Sequence, residues 1–244
     1  MKSIKKAQEM KKAMNDKFAR AFALAMQYME KFGKKVHVTM HSGKLEGIQS
    51  ISTLSVCNPY CITRMADGDS VCSHCYVQGH HYKTSLMAHL IANFKRLTAE
   101  IIPENELPII STVYGRIESF GDVYNLIQAR NYIRIIRKNP SVRFAVWSKN
   151  WAVWAKAFQL DGKPDNTTFV LSSDKLNTPA NIPQPIMQYI DYVFTVYDFD
   201  FVREHDIKIN CGLARCMQCG HCYNHGGPIY VNEILKSDAK KYTA

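Results

Sequence analysis

Eight cysteines carry the chemistry of this sequence, and all of them fall in two short windows. The first window is Cys57-x3-Cys61-x10-Cys72-x2-Cys75, and the second is Cys211-x4-Cys216-x2-Cys219-x2-Cys222. An even count suits disulfides, but a chain of 244 residues buries a core without them. The lysine-rich start, Met1 to Lys12, runs into no continuous apolar stretch, so no secretory leader is expected. In a reducing compartment, cysteines at such short spacings read as metal ligands.

The second window places four thiolates within twelve residues, compact enough to wrap one [4Fe–4S] cubane. Gly212, Gly220, Gly226 and Gly227 give the loop the freedom such a wrap needs. The first window has two readings. Two cysteine pairs would make a closed four-thiolate zinc site, whereas three or four of the thiolates would hold a second iron–sulfur cluster. The iron–sulfur reading is preferred, because the window lies between a strand and a helix instead of in a hairpin module of its own. Tyr60, Tyr76 and Tyr223 flank the thiolates and can shield a cluster from water. His74, His80, His81, His221 and His225 crowd the same windows. With eight thiols at hand, they are read as supporting or substrate-contacting groups, and His37, His41, His89 and His205 as surface or packing residues.

The elements that must position these residues alternate along the chain. Residues 4–33 form one expected helix, with Met10, Met14, Phe18, Phe22, Met26 and Met29 at helical spacing and Gly33 as its stop. Strands are expected at Lys35–Met40, 46–54, Pro108–Tyr114, Val142–Trp147, Thr168–Leu171, Tyr192–Tyr197 and Ile207–Asn210. Helices are expected at 83–100, 122–138, 150–158 and near Met187. Repeated strand–helix alternation predicts an α/β fold with a parallel sheet, open or a partial (βα)6 barrel. The division is a basic N-terminal helix, 1–35, packed on a single α/β domain, 36–244. Polar residues follow the strands, as do both cysteine windows, so ligands should converge where the strands end. Among them, Glu118 and Asp122 are candidate acid/base groups and Arg116 and Lys149 candidate clamps for an anion. The competing structural roles are a helix cap for Asp122 and an Arg116–Glu118 pair.

A strand, a cysteine loop ending in Cys72-Ser-His-Cys75-Tyr76, a helix, and a strand ending in a glycine and glutamate cluster together resemble the start of a radical SAM partial barrel. That resemblance implies three thiolates on a [4Fe–4S] cluster, with the fourth iron open to S-adenosylmethionine. Here ten residues separate the x3 and x2 spacings, His74 stands before Cys75, and Gly115-Arg116-Ile117-Glu118 replaces a glycine pair followed by glutamate. The segments Leu54 to Tyr76 and Arg116-Ile-Glu-Ser-Phe-Gly-Asp122, with the strand before Ser148-Lys149, resemble the phage gene product 88 family. This covers roughly residues 47–150 and implies a phage or prophage origin and a host-cytoplasmic setting.

Charge narrows the partners. Lys and Arg outnumber Asp and Glu by 31 to 21, and residues 1–35 alone hold ten basic against three acidic side chains. A basic N-terminal helix is a place where nucleic acid could bind. No apolar run reaches the ~18 residues that span a bilayer, so no membrane role is expected. The expectation is a cytoplasmic protein with two [4Fe–4S] clusters, acting as a redox or Lewis-acid enzyme on a small molecule or exchanging electrons with a donor. The alternatives are a nucleic-acid-binding protein with two four-cysteine zinc sites and a simple electron carrier. A carrier has little need of so large a βα scaffold.

Overall fold

The computed structural model describes residues 16–17, 19–28, 30–31, 35–75, 77, 83–212, 214–227 and 229–236. The expected helical stretches 4–15 and 32–33, with Met10, Met14, Phe18, Met29 and Gly33, lie outside the described residues, as do Tyr76, His80 and His81.

Seven strands form one sheet in the order of the sequence. They are β1 (Thr39–Met40), β2 (Gln49–Ile51), β3 (Tyr114–Ile117), β4 (Arg143–Ser148), β5 (Thr167–Ser172), β6 (Tyr192–Tyr197) and β7 (Tyr230–Ile234). The short β1 pairs antiparallel with β2, Thr39 opposite Ser50. Every later pair is parallel, with Arg116 opposite Ala145, Val146 opposite Phe169, Leu171 opposite Val193 and Phe194 opposite Val231. The helices are α1 (16–31, apart from 18 and 29), α2 (Pro59–Ala66), α3 (Thr84–Ala99), α4 (Leu126–Lys138), α5 (Trp151–Asp161), α6 (Gln184–Met187), α7 (Phe199–His205) and α8 (Cys216–Cys219). This is the expected α/β alternation around a mostly parallel sheet.

Local chemistry sets the helix ends. Pro59 occupies the first turn of α2, and Asn58 caps it by accepting from Tyr60 N–H at 3.0 Å. Asn125 caps α4 through Gln128 N–H at 2.9 Å, so the cap is not the expected Asp122. Helix α5 stops at Gly162, whose φ of +75° favours glycine.

Side chains of alternate strand residues point to opposite faces of the sheet. Phe144, Val146, Phe169 and Leu171 face the helices and pack with Ile133, Ile136, Trp154 and Phe158 in the main core. The alternate residues Ala145, Trp147 and Val170 face the other way, into two small clusters that include Tyr223, Cys216, Cys211 and Cys222. Helices therefore cover one face of the sheet and the second cysteine loop covers the other. All six residues of β5 are buried as a result.

Several expected boundaries are corrected. The strand expected at Pro108–Tyr114 starts only at Tyr114, because side chains take the N–H groups before it. Ile110 N–H donates to Asn139 Oδ1 at 2.8 Å and Ser111 N–H to Gln49 Oε1 at 2.7 Å. Gly115 and Arg116 accordingly belong to β3 instead of the loop after it. The strand over 46–54 shrinks to β2, and that over Lys35–Met40 to β1. No strand forms at Ile207–Asn210. Asn210 and Cys211 N–H both converge on the Asn232 carbonyl, at 3.2 and 3.0 Å, leaving one bridge from Cys211 to Glu233. The edge position goes to β7, which the sequence concealed by placing Asn232-Glu233 between its apolar residues.

Candidate functional site

Beyond β2 the chain turns through Ser52, Thr53 and the buried Leu54 into the first cysteine window. Cys57 ends a short turn and packs against an apolar cluster that includes Leu54, Val77 and Met87. Burial pushes its thiol up to about 11, offset in part by Lys95. Cys61 lies on α2, Cys72 in the single turn Val71–His74, and Cys75 at the end of that turn. Cys61 stands within electrostatic reach of Cys72 and Cys75, and burial raises its thiol strongly.

Asp174, in the loop after β5, holds this window in place. It pairs with Arg64 of α2, accepts from Ser70 Oγ at 2.8 Å, and receives Val71 N–H on its carbonyl at 2.7 Å. Hydrogen bonds from Arg64 and Ser70 outweigh burial and hold Asp174's carboxyl below the usual range. In the sequence, Ser172-Ser173-Asp174 is only one of several polar stretches that follow a strand. The partner that gives it a role is more than a hundred residues away, and no spacing rule connects them.

The second window lies across the sheet face that lacks helices. Tyr223 stacks on Tyr114, with ring centroids 4.6 Å apart, and meets Trp147 edge-on at 6.3 Å. Thr168 Oγ1 donates to the Cys222 carbonyl and Tyr192 hydroxyl to the Asn224 carbonyl. Lys44 donates to Cys211 Sγ at 3.3 Å and to Glu233 Oε1 at 2.5 Å. Cys222 stands within electrostatic reach of Cys211, Cys216 and Cys219, and burial pushes its thiol up to about 12. Arg116 places its guanidinium 3.8 Å over the Trp147 ring, where its charge favours ionised Cys216 and Cys222.

One cavity of about 840 Å³ lies between the windows at the carboxyl ends of the strands. Seven cysteines line it: Cys61, Cys72 and Cys75 from the first window and all four of the second. Cys57 is not among its lining residues. Arg116, Glu118, Asp122, Lys149 and His74 line the same cavity, so the sequence-predicted site residues other than Cys57 are brought together. Among the described residues, no three His, Cys, Asp or Glu side chains gather closely enough to hold a single metal ion.

Glu118 and Asp122 are buried and committed to neighbouring chain. Glu118 adopts a left-handed backbone with φ of +59°. Its Oε1 accepts from Thr53 Oγ1 at 2.8 Å, Gln128 Nε2 at 2.9 Å and Tyr132 hydroxyl at 2.5 Å, while Oε2 accepts from Thr53 N–H at 3.0 Å. Burial outweighs these donors and pushes its pKa up to about 8. Arg116 does not pair with this carboxylate; its Nε reaches the Glu118 carbonyl at 3.4 Å. Asp122 accepts from Ser148 Oγ, Val123 N–H and Lys149 N–H, so it joins the loop after β3 to the end of β4. Burial raises its pKa against those bonds.

The other histidines divide as residue type alone does not reveal. His37 stacks on His89 at 4.2 Å, beside Tyr28 of α1. His41 lies 2.6 Å from Ser50 Oγ, and burial, with Arg116 nearby, pushes it down to about 4. His221 packs on Tyr192 and lines the cavity, and His225 meets Asp191 at 3.0 Å. His205 stacks on Phe201. Among the described residues, no helix is long and apolar enough to cross a membrane.

No family model, curated protein or solved structure matches this chain.

Proposed function

We propose that the chain is an iron–sulfur protein carrying two [4Fe–4S] clusters, and that it acts as a redox or Lewis-acid enzyme on a small molecule held between them. The observation that carries this reading is that seven cysteines from two distant windows line one cavity at the strand ends. The donor set fits the group. All four thiols of the second window line the one cavity, and Cys222 lies within electrostatic reach of the other three, which supports a shared four-thiolate cluster. In the first window three thiols face the cavity while Cys57 packs into an apolar cluster. Three thiolates on a four-iron cluster leave one iron for another ligand. A tetrahedral zinc site instead needs four thiolates around one ion, with zinc–sulfur distances of about 2.3 Å.

When bound, such an open iron supplies a Lewis acid or a route for one electron. The chain's own residues do the rest. Arg116 and Lys149 offer positive charge to an anionic group in the cavity. Glu118 and Asp122 act as positioning residues, fixing the loops after β2, β3 and β4 through their hydrogen bonds. Tyr223, Trp147 and Phe194 exclude water along the cavity wall.

The finer architecture in this reading is a partial (βα)6 barrel of the radical SAM kind. For six parallel strands in sequence order, crossovers of the usual right hand would put every crossover helix on one face. A sheet clad on one face curls towards the other, as in a barrel. Resemblance to the phage gene product 88 family supports a phage origin and a host-cytoplasmic setting. Glu118's carboxylate is taken up by Thr53, Gln128 and Tyr132, so S-adenosylmethionine enters this reading only through the open iron.

The test is anaerobic purification with iron, sulfide and zinc counted per chain, followed by EPR of the reduced protein with and without S-adenosylmethionine. About eight iron and eight sulfide are expected for two cubanes. Cys57→Ser should keep the full complement, whereas Cys61→Ser should lose about half of it. Two zinc with no sulfide would overturn the reading and favour a zinc protein that binds nucleic acid through its basic N-terminal helix.

A further inference from the structure

A second cavity of about 490 Å³ adjoins the first, between the loops that follow β4 and β5. Tyr60, Arg64, Lys149 and Ser172 line both, so the two spaces share a wall. Arg64 is neutralised by Asp174. Lys149 and Lys175 also line the annex, and neither has an ion-pair partner among the described residues. Lys149 Nζ makes one hydrogen bond, to Ser172 Oγ at 3.3 Å, which leaves donors to spare. The annex is thus lined by three cationic side chains against one carboxylate, with Asp122 and Asp174 both within electrostatic reach of Lys149. Trp151 and Tyr60 add ring surfaces, and Pro179 and Ala180 an apolar side.

We propose that this annex is an anchoring subsite for a phosphate monoester, held by Lys149 and Lys175, whose organic part reaches into the main cavity. Two ammonium groups match a phosphate dianion better than a single carboxylate, and charge-assisted bonds of this type are among the stronger ones. The volume exceeds what a bare ion fills and suits a small organic molecule. The position is that of ligands in βα folds, outside the carboxyl ends of the strands. Lys149 stands at the junction, so a phosphate seated there directs the rest of the molecule past Tyr60 towards the first cysteine window. The role of that second part rests on the iron–sulfur reading; the phosphate site itself does not.

Isothermal titration of the full chain with glycerol phosphate, inorganic phosphate, acetate and glycerol tests the assignment. Saturable binding of the two phosphates is expected, with glycerol silent and acetate much weaker. Lys149→Met with Lys175→Met should weaken phosphate binding by about tenfold or more. Lys156→Met, on the exposed side of α5, should leave it unchanged. No saturable phosphate binding, acetate binding as tightly as phosphate, or equal weakening by Lys156→Met would overturn the proposal. If the double variant fails to fold, Lys175→Met alone, at an exposed loop position, serves, with a severalfold loss expected. Iron is counted on the same preparations. Phosphate binding without iron sinks the cluster reading alone, and iron without phosphate binding sinks the annex alone.

Discussion

Glu118 concentrates three unusual properties in one residue: a left-handed backbone, full burial and a carboxylate met by four donors. Together they bind the segment after β2 to the end of β3 and to α4, and so set where the first cysteine window begins. Glu118→Gln must turn an amide N–H towards at least one of those donors. A loss of about 1–3 kcal/mol is expected, read from urea unfolding. The pH dependence has a definite sign. The folded pKa of about 8 lies above the unfolded value, so the folded state binds the extra proton. This contribution to stability is full below the unfolded pKa and is lost as pH rises through about 8. Glu118→Gln should flatten that part of the stability profile; an unchanged profile would mean the carboxylate is ionised throughout. The sequence marked Glu118 as an acid/base candidate because it saw a charged residue at a strand end. It could not show that Thr53, after β2, and Gln128 and Tyr132, both on α4, already use the charge.

At the scale of elements, the pairing of β3 with β4 depends on a missing side chain. A Cβ on Gly115 would lie 2.5 Å from a ring carbon of Phe144, a fully packed core residue on the facing strand. Gly115→Ala should therefore cost about 1–3 kcal/mol by overpacking, and shift Arg116 over Trp147 as β3 moves. Near-ultraviolet circular dichroism would register the tryptophan, and an unchanged signal with unchanged stability would show that Phe144 gives way freely. Docking of α1 depends on a different device, the stacked His37 and His89 rings under Tyr28. Burial, and then His89, push His37 down to about 4, so it folds neutral. Its contribution is present above the unfolded pKa near 6.5 and is lost as pH falls through about 4. His37→Phe should reduce the fall in urea midpoint over that window, with His41 and His89, both also lowered by burial, contributing to what remains. Most elements were legible from periodicity because α4, β4, β5 and β6 carry continuous apolar faces. Those misplaced, at Pro108–Tyr114 and Ile207–Asn210, are apolar stretches whose backbone groups bond to side chains or to one carbonyl. Pattern alone does not reveal those partners.

Across the whole molecule, the two faces of the sheet are held by unlike means. The helix face buries a large continuous core, from Ile51 through Phe144 and Trp154 to Ile186. The opposite face has two clusters of three buried residues each, completed by cysteines of the second window. Among its described residues that loop has no regular element longer than the four residues of α8, so side-chain contacts order it, together with any cluster it holds on the proposed reading. The first window has one longer element, the eight-residue α2, and its turns are tied down by Asp174 and Glu118. On the proposed cluster reading, removing metal should therefore divide the molecule instead of unfolding it. After anaerobic chelation, hydrogen exchange should quicken over 55–75 and 207–236. It should stay slow in α4, α5 and β3 to β5, where the apolar core is self-sufficient. Cys216→Ala with Cys219→Ala should expose the second loop in the same way and leave the first window protected, if each window holds its own cluster. Uniform loss of protection across the sheet would mean instead that the metal centres and the helix-side core fold as one cooperative unit. The cavity would then be a product of metal binding and not a scaffold that awaits it.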